Sequence, residues 1–324
     1  MSRPLTVAVV QASPVWLDRA DTTARACDWI AQAAARGARV IAFPESFIPA
    51  FPYGIWHHGL AANQAFFRRL HEAAVVVGGP ETAALAAAAR RAGAVVVIGV
   101  TERDGGSLYN TQLFFDADGT LALRRRKLKP TNAERLVWGE GDGSGLAVLS
   151  TAAGRIGGLI CGEHNFALAR YTMQSLGEEI HVASYPDPLM EGRGFADRLE
   201  AAVRHYAAEG QCFVLNATGF IDAATRAVAF DTPEAAAELA DPRGLNGASS
   251  IIAPSGEVLA GPLSGREGIL TADIDLAGIA YAKYWFDAAG HSARHDIFRL
   301  QVDFAPRRAV TAAPEPAPLA GGTP

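Results

Sequence analysis

The sequence predicts an α/β fold running as one unit. Three observations carry that expectation. The opening residues lay out a strand, a helix and a second strand; the second half repeats this alternation; and no compositional break or linker interrupts residues 1 to 300. A chain of 324 residues is ample to bury a core without disulfide staples.

Leu5 to Gln11 is an apolar run of strand length. Asp21 to Ala35 has helical spacing, with Asp21 or Thr22 as N-cap candidates and Gly37 just past the end. Val40 to Phe43 follows as a second apolar strand and runs directly into Pro44-Glu45. Residues 46 to 60 hold Phe47, Phe51, Tyr53, Trp56, His57 and His58, broken by Pro49 and Pro52. They form a loop that walls a pocket, packs on its own aromatics or makes a subunit contact. Helices are expected over Ala62 to Val77 and Glu81 to Ala92, then a buried strand over Ala94 to Thr101. Leu108 to Phe115 and Thr120 to Arg126 flank the turn Asp116-Ala117-Asp118-Gly119, a hairpin signal.

A short helix over Thr131 to Trp138 and a glycine-rich turn over 139 to 145 lead to strands at Ala147 to Leu149 and Arg155 to Cys161. Asn165 to Ser175 is expected to be helical, Ile180 to Ser184 a strand, Ala196 to Glu209 a helix and Cys212 to Asn216 a strand. Residues 222 to 246 are expected to form a loop with one helical piece. Ser250 to Ala253 and Val258 to Ala260 form a second hairpin, and Gly268 to Ile274 closes the sheet. From Pro306 onward Ala, Pro and Gly dominate, so residues 306 to 324 are expected to be a disordered tail beyond a domain of residues 1 to 305.

Composition excludes several functions. A net charge of −5 argues against a nucleic-acid binder, which needs a basic face. Three widely spaced cysteines point to a reducing compartment rather than a disulfide framework. No apolar run approaches the roughly 20 residues that span a bilayer, and the expectation is a cytoplasmic protein without a membrane partner. Asp116 does not open a calcium loop, because the positions needing Gly and Glu hold Leu121 and Lys127. The glycine-rich turn lacks the Gly-Lys-Ser/Thr ending of a phosphate loop. His291 and His295 lie four apart with no glutamate between them and no third ligand, so no metal site is expected.

Three chemically potent side chains each end a predicted strand: Glu45, Lys127 and Cys161. Strands of one sheet sharing a direction would bring such ends to one edge, where open α/β sheets place ligands. Leu121, Leu123, Arg125 and Lys127 share parity, which sets Lys127 on an apolar face unless a bulge intervenes; the alternative is a plain solvated charge run. A thiol with a free pKa of ~8.5 needs a base or a cation to act as a nucleophile near neutral pH. A carboxylate can take its proton, and an ammonium can stabilise the anion formed after attack.

Phe43-Pro44-Glu45-Ser46-Phe47-Ile48-Pro49, Arg126-Lys127-Leu128-Lys129-Pro130-Thr131 and Cys161-Gly162-Glu163-His164 resemble the three signature segments of the nitrilase branch of the carbon–nitrogen hydrolase superfamily. The segments following the lysine, around Tyr185, and from Arg204 to Leu215 resemble further family blocks, so the likeness spans roughly residues 5 to 300. It implies an α-β-β-α sandwich, a homodimer assembling into higher homo-oligomers, and no metal or organic cofactor. Residue by residue, it implies Cys161 as nucleophile, Glu45 as general base, Lys127 as the stabilising cation and Glu134 as the glutamate that orients the lysine. The Gly162 N–H would complete the oxyanion site.

The implied reaction takes a small organic nitrile to its acid and ammonia through a thioimidate and a thioester, with some amide as by-product. One departure stands out. Nitrilases most often carry tryptophan where this chain has Gly162, and the loss of that indole would open space beside the nucleophile. Tyr53, Trp138, His164 and Tyr185 are the further candidates for the pocket. The alternatives are an amidase using the same residues, a cyanide-degrading enzyme, and a catalytically silent scaffold.

Overall fold

The computed structural model of the chain describes residues 2–56, 59–188, 193–229 and 246–307. His57, His58, most of the loop after residue 229 and nearly all of the expected tail lie outside the described residues. Among the described residues two six-stranded mixed sheets stack face to face. In the first, β1 (Pro4–Gln11), β2 (Val40–Ala42) and β3 (Val95–Asp104) run parallel. Antiparallel β4 (Ser107–Phe115) and β5 (Leu121–Arg126) extend one side, and β12 (Gly268–Asp275) pairs with β1 on the other.

The second sheet repeats this plan. Its parallel centre is β7 (Gly154–Ile160), β8 (Ile180–Tyr185) and β9 (Phe213–Thr218). Short β6 (Leu149–Thr151) lies antiparallel at one edge, and β10 (Ser249–Ile252) with β11 (Val258–Leu263) at the other.

Strand parity explains the layering. Val7, Val9, Val40, Ala42, Val95 and Val97 face the second sheet and pack on Ile156, Ile180, Val182, Leu215 and Ile251. The alternate residues, among them Ala8, Val10, Ile41, Val96 and Ile98, face outward. There they meet Ala26, Ile30 and Ala33 of α1 (Arg19–Ala35) and Leu85, Ala88 and Ala89 of α3 (Pro80–Ala92). On the far side Leu159, Ile160, Ala183 and Val214 pack against α4 (Ala167–Ser175) and α5 (Arg193–Gly210). Strands covered on both faces have to be apolar throughout, as the continuous runs of the sequence are. The result is the α-β-β-α sandwich that the resemblance implied.

Several boundaries differ from the sequence expectation. Helix α1 begins at Arg19, because Asp18 accepts hydrogen bonds from the Ala20 and Asp21 amides at 3.0 Å each and so outcompetes Asp21 and Thr22 as cap. Helix α2 (Leu60–Ala73) stops before the β-branched run Val75-Val76-Val77, where Val75 instead bridges to Glu102 beside β3. Helices α6 (Ala223–Ala229) and α7 (Gly278–Trp285) complete the set among the described residues, and α7 was not anticipated. His291 and His295 fall in a run of turns rather than on a helix.

Candidate active site

The three strand-end residues do converge, but from two sheets rather than one. Glu45 follows β2 and Lys127 follows β5 in the first sheet, whereas Cys161 follows β7 in the second. Face-to-face stacking puts these carboxyl ends at the same end of the sandwich. Polar stitches hold the sheets together there. Ser184 donates to the Phe43 carbonyl at 3.0 Å, Gln112 donates to the Ser184 hydroxyl at 2.9 Å, and the Glu45 amide donates to the Tyr185 carbonyl at 3.3 Å.

The Glu45 turn lies flat against β3 because residue 99 is glycine: a Cβ there would sit 2.3 Å from the Pro44 carbonyl oxygen. Glu45 is buried, and its Oε1 accepts from Lys127 Nζ at 2.8 Å and from Asn110 Nδ2 at 2.6 Å. Lys127 Nζ also donates to Glu134 Oε2 at 2.7 Å, and the same oxygen accepts from the Thr131 amide at 2.7 Å. One ammonium is therefore clamped between two carboxylates with no access to bulk water.

Electrostatics follows from that clamp. Burial, reinforced by Glu134 and opposed by the Lys127 ammonium, pushes the Glu45 carboxyl up to about 7. Burial alone would lower the Lys127 pKa, but Glu134 and Glu45 outweigh it and hold the ammonium charged. The Cys161 thiol is pushed up well above its ordinary value by burial and then by Glu45. Lys127 and the Gly162 N–H pull the other way. The resting group is thus a thiol next to a carboxyl poised near neutrality, which suits proton transfer during attack rather than a standing thiolate.

Cys161 sits at φ 46°, a left-handed conformation rare outside glycine, where β7 turns into the single-turn 3-10 helix Cys161–Asn165. That bend lifts the side chain out of the strand and onto a cavity of about 150 Å³. Cys161, Gly162, Glu134 and Thr131 line it together with the apolar side chains of Phe51, Trp56, Tyr185, Phe195 and Leu199, and Arg198 is also on the lining.

Of the candidate pocket residues, Gly162 and Tyr185 line this cavity, while Tyr53, Trp138 and His164 do not. Trp138 stands edge-on to Phe51 with ring centres 5.5 Å apart, and the Tyr53 hydroxyl accepts from the Asp187 amide at 3.1 Å. Both brace the wall from behind. Within the aromatic loop Phe51 and Trp56 face the cavity, Tyr53 packs on Phe51, and Phe47 packs on Phe43 in the outer core. His164 lies on the other side of Cys161, with Nδ1 donating to the Cys161 carbonyl at 2.9 Å and its ring stacked on Tyr185.

Sequence reasoning missed Asn110 and the pairing of Arg125 with Glu163. Both had a signal. Leu108, Asn110, Gln112 and Phe114 share parity, so two amides stand on an apolar face, as Arg125 does beside Leu123. Arg125 and Glu163 are fully buried and paired at 2.7 Å. Glu163 also accepts from the Leu128 and Ile160 amides at 2.7 Å each, tying the end of the Lys127 strand to the end of the Cys161 strand. The alternate arginines of the basic run, Arg124 and Arg126, pair with Glu102 and Asp104 and form no free cationic patch. Among the described residues no three His, Cys, Asp or Glu side chains gather as a metal site.

Comparison with known proteins agrees with this geometry. The carbon-nitrogen hydrolase family model matches residues 6–284. The chain belongs to the carbon-nitrogen hydrolase family. It is 43% identical over 307 residues to a nitrilase of Paraburkholderia phymatum, covering 94% of this chain and 88% of that one. It is 44% identical over 301 residues to an aliphatic nitrilase of Rhodococcus rhodochrous, covering 91% and 81%. A carbon-nitrogen hydrolase from Helicobacter pylori G27 superposes with a TM-score of 0.71 at 21% identity, over 91% of this chain and 97% of that chain, and so shares the fold.

Within this hydrolase Gly162 does not leave the open space expected from a missing indole. A Cβ at residue 162 would lie 2.7 Å from Thr131 Oγ1, so the threonine already fills the base of that space. Because the Thr131 amide holds Glu134, a side chain at 162 would disturb the glutamate clamp. Gly162→Ala is expected to lower kcat about tenfold, and adding Thr131→Ala to recover most of it, since the remaining Cβ contact of 3.8 Å is ordinary. Steady-state kinetics on the two single variants and the double variant checks this coupling; independent, additive effects would contradict it.

Proposed function

We propose that this enzyme hydrolyses a small organic nitrile to the carboxylic acid and ammonia through a covalent intermediate on Cys161. The observation that carries the reading is the buried Glu45–Lys127–Glu134 clamp set beside a cysteine held in a left-handed turn on the lining of a cavity. The nitrilase names of relatives at 43–44% identity support the substrate class.

In this mechanism Glu45 takes the Sγ proton as sulfur adds to the nitrile carbon, and that proton passes to nitrogen to give a thioimidate. Lys127 and the Gly162 N–H face the developing negative charge. Glu45 then deprotonates a water that attacks the same carbon. The tetrahedral species loses ammonia to leave a thioester, and a second water releases the acid and restores the thiol. Expulsion of sulfur from the tetrahedral species gives the amide instead. Glu134 keeps the lysine aimed throughout. The apolar walls at Phe51, Trp56 and Phe195 favour an uncharged organic group over free cyanide.

The finer assignment extends to a cytoplasmic enzyme that associates with copies of itself. Among the described residues no helix is long and apolar enough to cross a membrane. Tyr281, Tyr284, Trp285 and Phe286 on and after α7 are exposed, apolar surface that supports self-association.

Ammonia release from matched nitriles and amides, with product identification, tests the substrate assignment. Turnover of nitriles with idle amides is expected; turnover of amides alone would place the enzyme among amidases. The pH profile tests the base. Glu45 has to be ionised to accept a proton, and its carboxyl titrates at about 7. So kcat/KM is expected to rise about tenfold per unit below neutrality and to level off above it. A profile flat from about pH 5 to pH 7 would remove Glu45 from that role.

A further inference from the structure

Behind the nucleophile lies a chain of four buried titratable side chains, none of which lines the cavity itself. Tyr206 donates its hydroxyl hydrogen to Glu178 Oε1, Glu178 Oε2 lies 2.9 Å from His181 Nδ1, and His181 Nε2 lies 3.0 Å from His164 Nε2. His164 Nδ1 ends the chain on the Cys161 carbonyl at 2.9 Å. All four residues are at most 2% exposed.

Hydrogen-bond polarity assigns the protons. A carbonyl only accepts, so His164 Nδ1 carries hydrogen. Burial keeps this imidazole neutral, well below its usual range, so its Nε2 is a bare acceptor and His181 Nε2–H must be the donor. The Glu178 carboxyl holds His181 from the other side and is itself pinned by Tyr206. From His181 onward each hydrogen points toward the nucleophile, and the line terminates on one of its backbone atoms.

That atom matters because of peptide geometry. The Cys161–Gly162 bond is trans, so its C=O and N–H point in opposite directions. Holding the carbonyl toward His164 turns the Gly162 N–H toward the thiol, where it already acts on Cys161. We propose that His164 is a positioning residue that locks the Cys161–Gly162 peptide in the orientation that offers its N–H to the oxyanion, with His181, Glu178 and Tyr206 holding His164 in the required tautomer. This rests on the hydrolytic reading of Cys161 given above and adds to it a control over the anion site.

Three variants at His164 test the proposal. Asparagine places an amide N–H where Nδ1 was and can still reach the Cys161 carbonyl; glutamine reaches only the Nε2 position; leucine reaches neither. His164→Gln and His164→Leu are expected to lose roughly tenfold to 100-fold in kcat with KM little changed, and His164→Asn to recover most of that loss. Alkylation of Cys161 by iodoacetamide builds no charge on a carbonyl oxygen. Its rate is therefore expected to fall by much less than kcat in all three variants, the change reflecting only the Gly162 N–H that acts on the sulfur.

Equal losses for asparagine and glutamine, full activity in glutamine, or an alkylation rate that falls in step with kcat would each overturn the proposal. Failure of the substrate reading is separable. A wild-type enzyme idle on nitriles but active on amides refutes that reading alone, and the variants are then compared on the amide, which passes through the same tetrahedral oxyanion. A wild-type enzyme idle on both refutes the two together.

Discussion

Replacing Cys161 by alanine is expected to abolish turnover, by roughly 10⁴-fold or more, while leaving the fold in place. The sulfur is the only atom removed, and the smaller side chain meets the same left-handed backbone as the cysteine does at φ 46°. No hydrogen bond of the Glu45–Lys127–Glu134 clamp runs through the sulfur, so the clamp keeps its contacts. An unchanged urea midpoint together with absent ammonia release is the expected pair of results. Cys212 is buried in the α4–α5 core and Cys27 is part of α1, packed against the outer core, so neither can substitute. Nitrile hydrolysis surviving in the alanine variant would remove the thiol from the mechanism.

Breaking the Arg125–Glu163 pair from one side is expected to be the most destabilising single change near the site. Arg125→Met leaves a carboxylate fully buried with only two amide donors, and removal of one partner of such a pair costs about 3–5 kcal/mol. The loss is expected to reach activity too, because Glu163 ties Leu128, next to Lys127, to Ile160, next to Cys161. Arg125→Met combined with Glu163→Gln removes both charges and is expected to regain a large part of the stability. The glutamine oxygen can still accept an amide hydrogen. Urea denaturation at constant m-value measures both variants. A single variant within about 1 kcal/mol of the parent would mean that the pair is solvated or dispensable.

The sequence carried the layered fold and the convergence of three strand-end side chains for one physical reason. Buried parallel strands are uniform apolar runs, so a charge or a thiol that ends one is conspicuous, as at Glu45, Lys127 and Cys161. Parity carried further than it was pressed: the logic that placed Lys127 on an inner face also marks Asn110 and Arg125. What was not legible depends on how the two sheets stack. A single-sheet view of the strand ends misses that Cys161 approaches from across the sandwich, because that register is set by side-chain packing between layers.

The pocket walls were harder still. Phe195, Arg198 and Leu199 reach the cavity from α5, whose periodicity reveals a buried face but not that part of it ends over an opening. Tyr53 and Trp138 are aromatic neighbours of the site in sequence, yet they stand one layer behind Phe51. Composition alone cannot rank residues within such a cluster. At Gly162 the contents of the space depend on Thr131, which lies thirty-one positions earlier in the chain.

The central claim is a covalent intermediate on one named sulfur. The most direct test is to mix the enzyme with a turning-over nitrile, quench in acid within one turnover and map the mass of each cysteine-containing peptide. The account predicts an added acyl or imidoyl mass on the Cys161 peptide alone, absent when Glu45 is replaced by glutamine. Turnover proceeding with that peptide unmodified, or with the mass on Cys27 or Cys212, would contradict it.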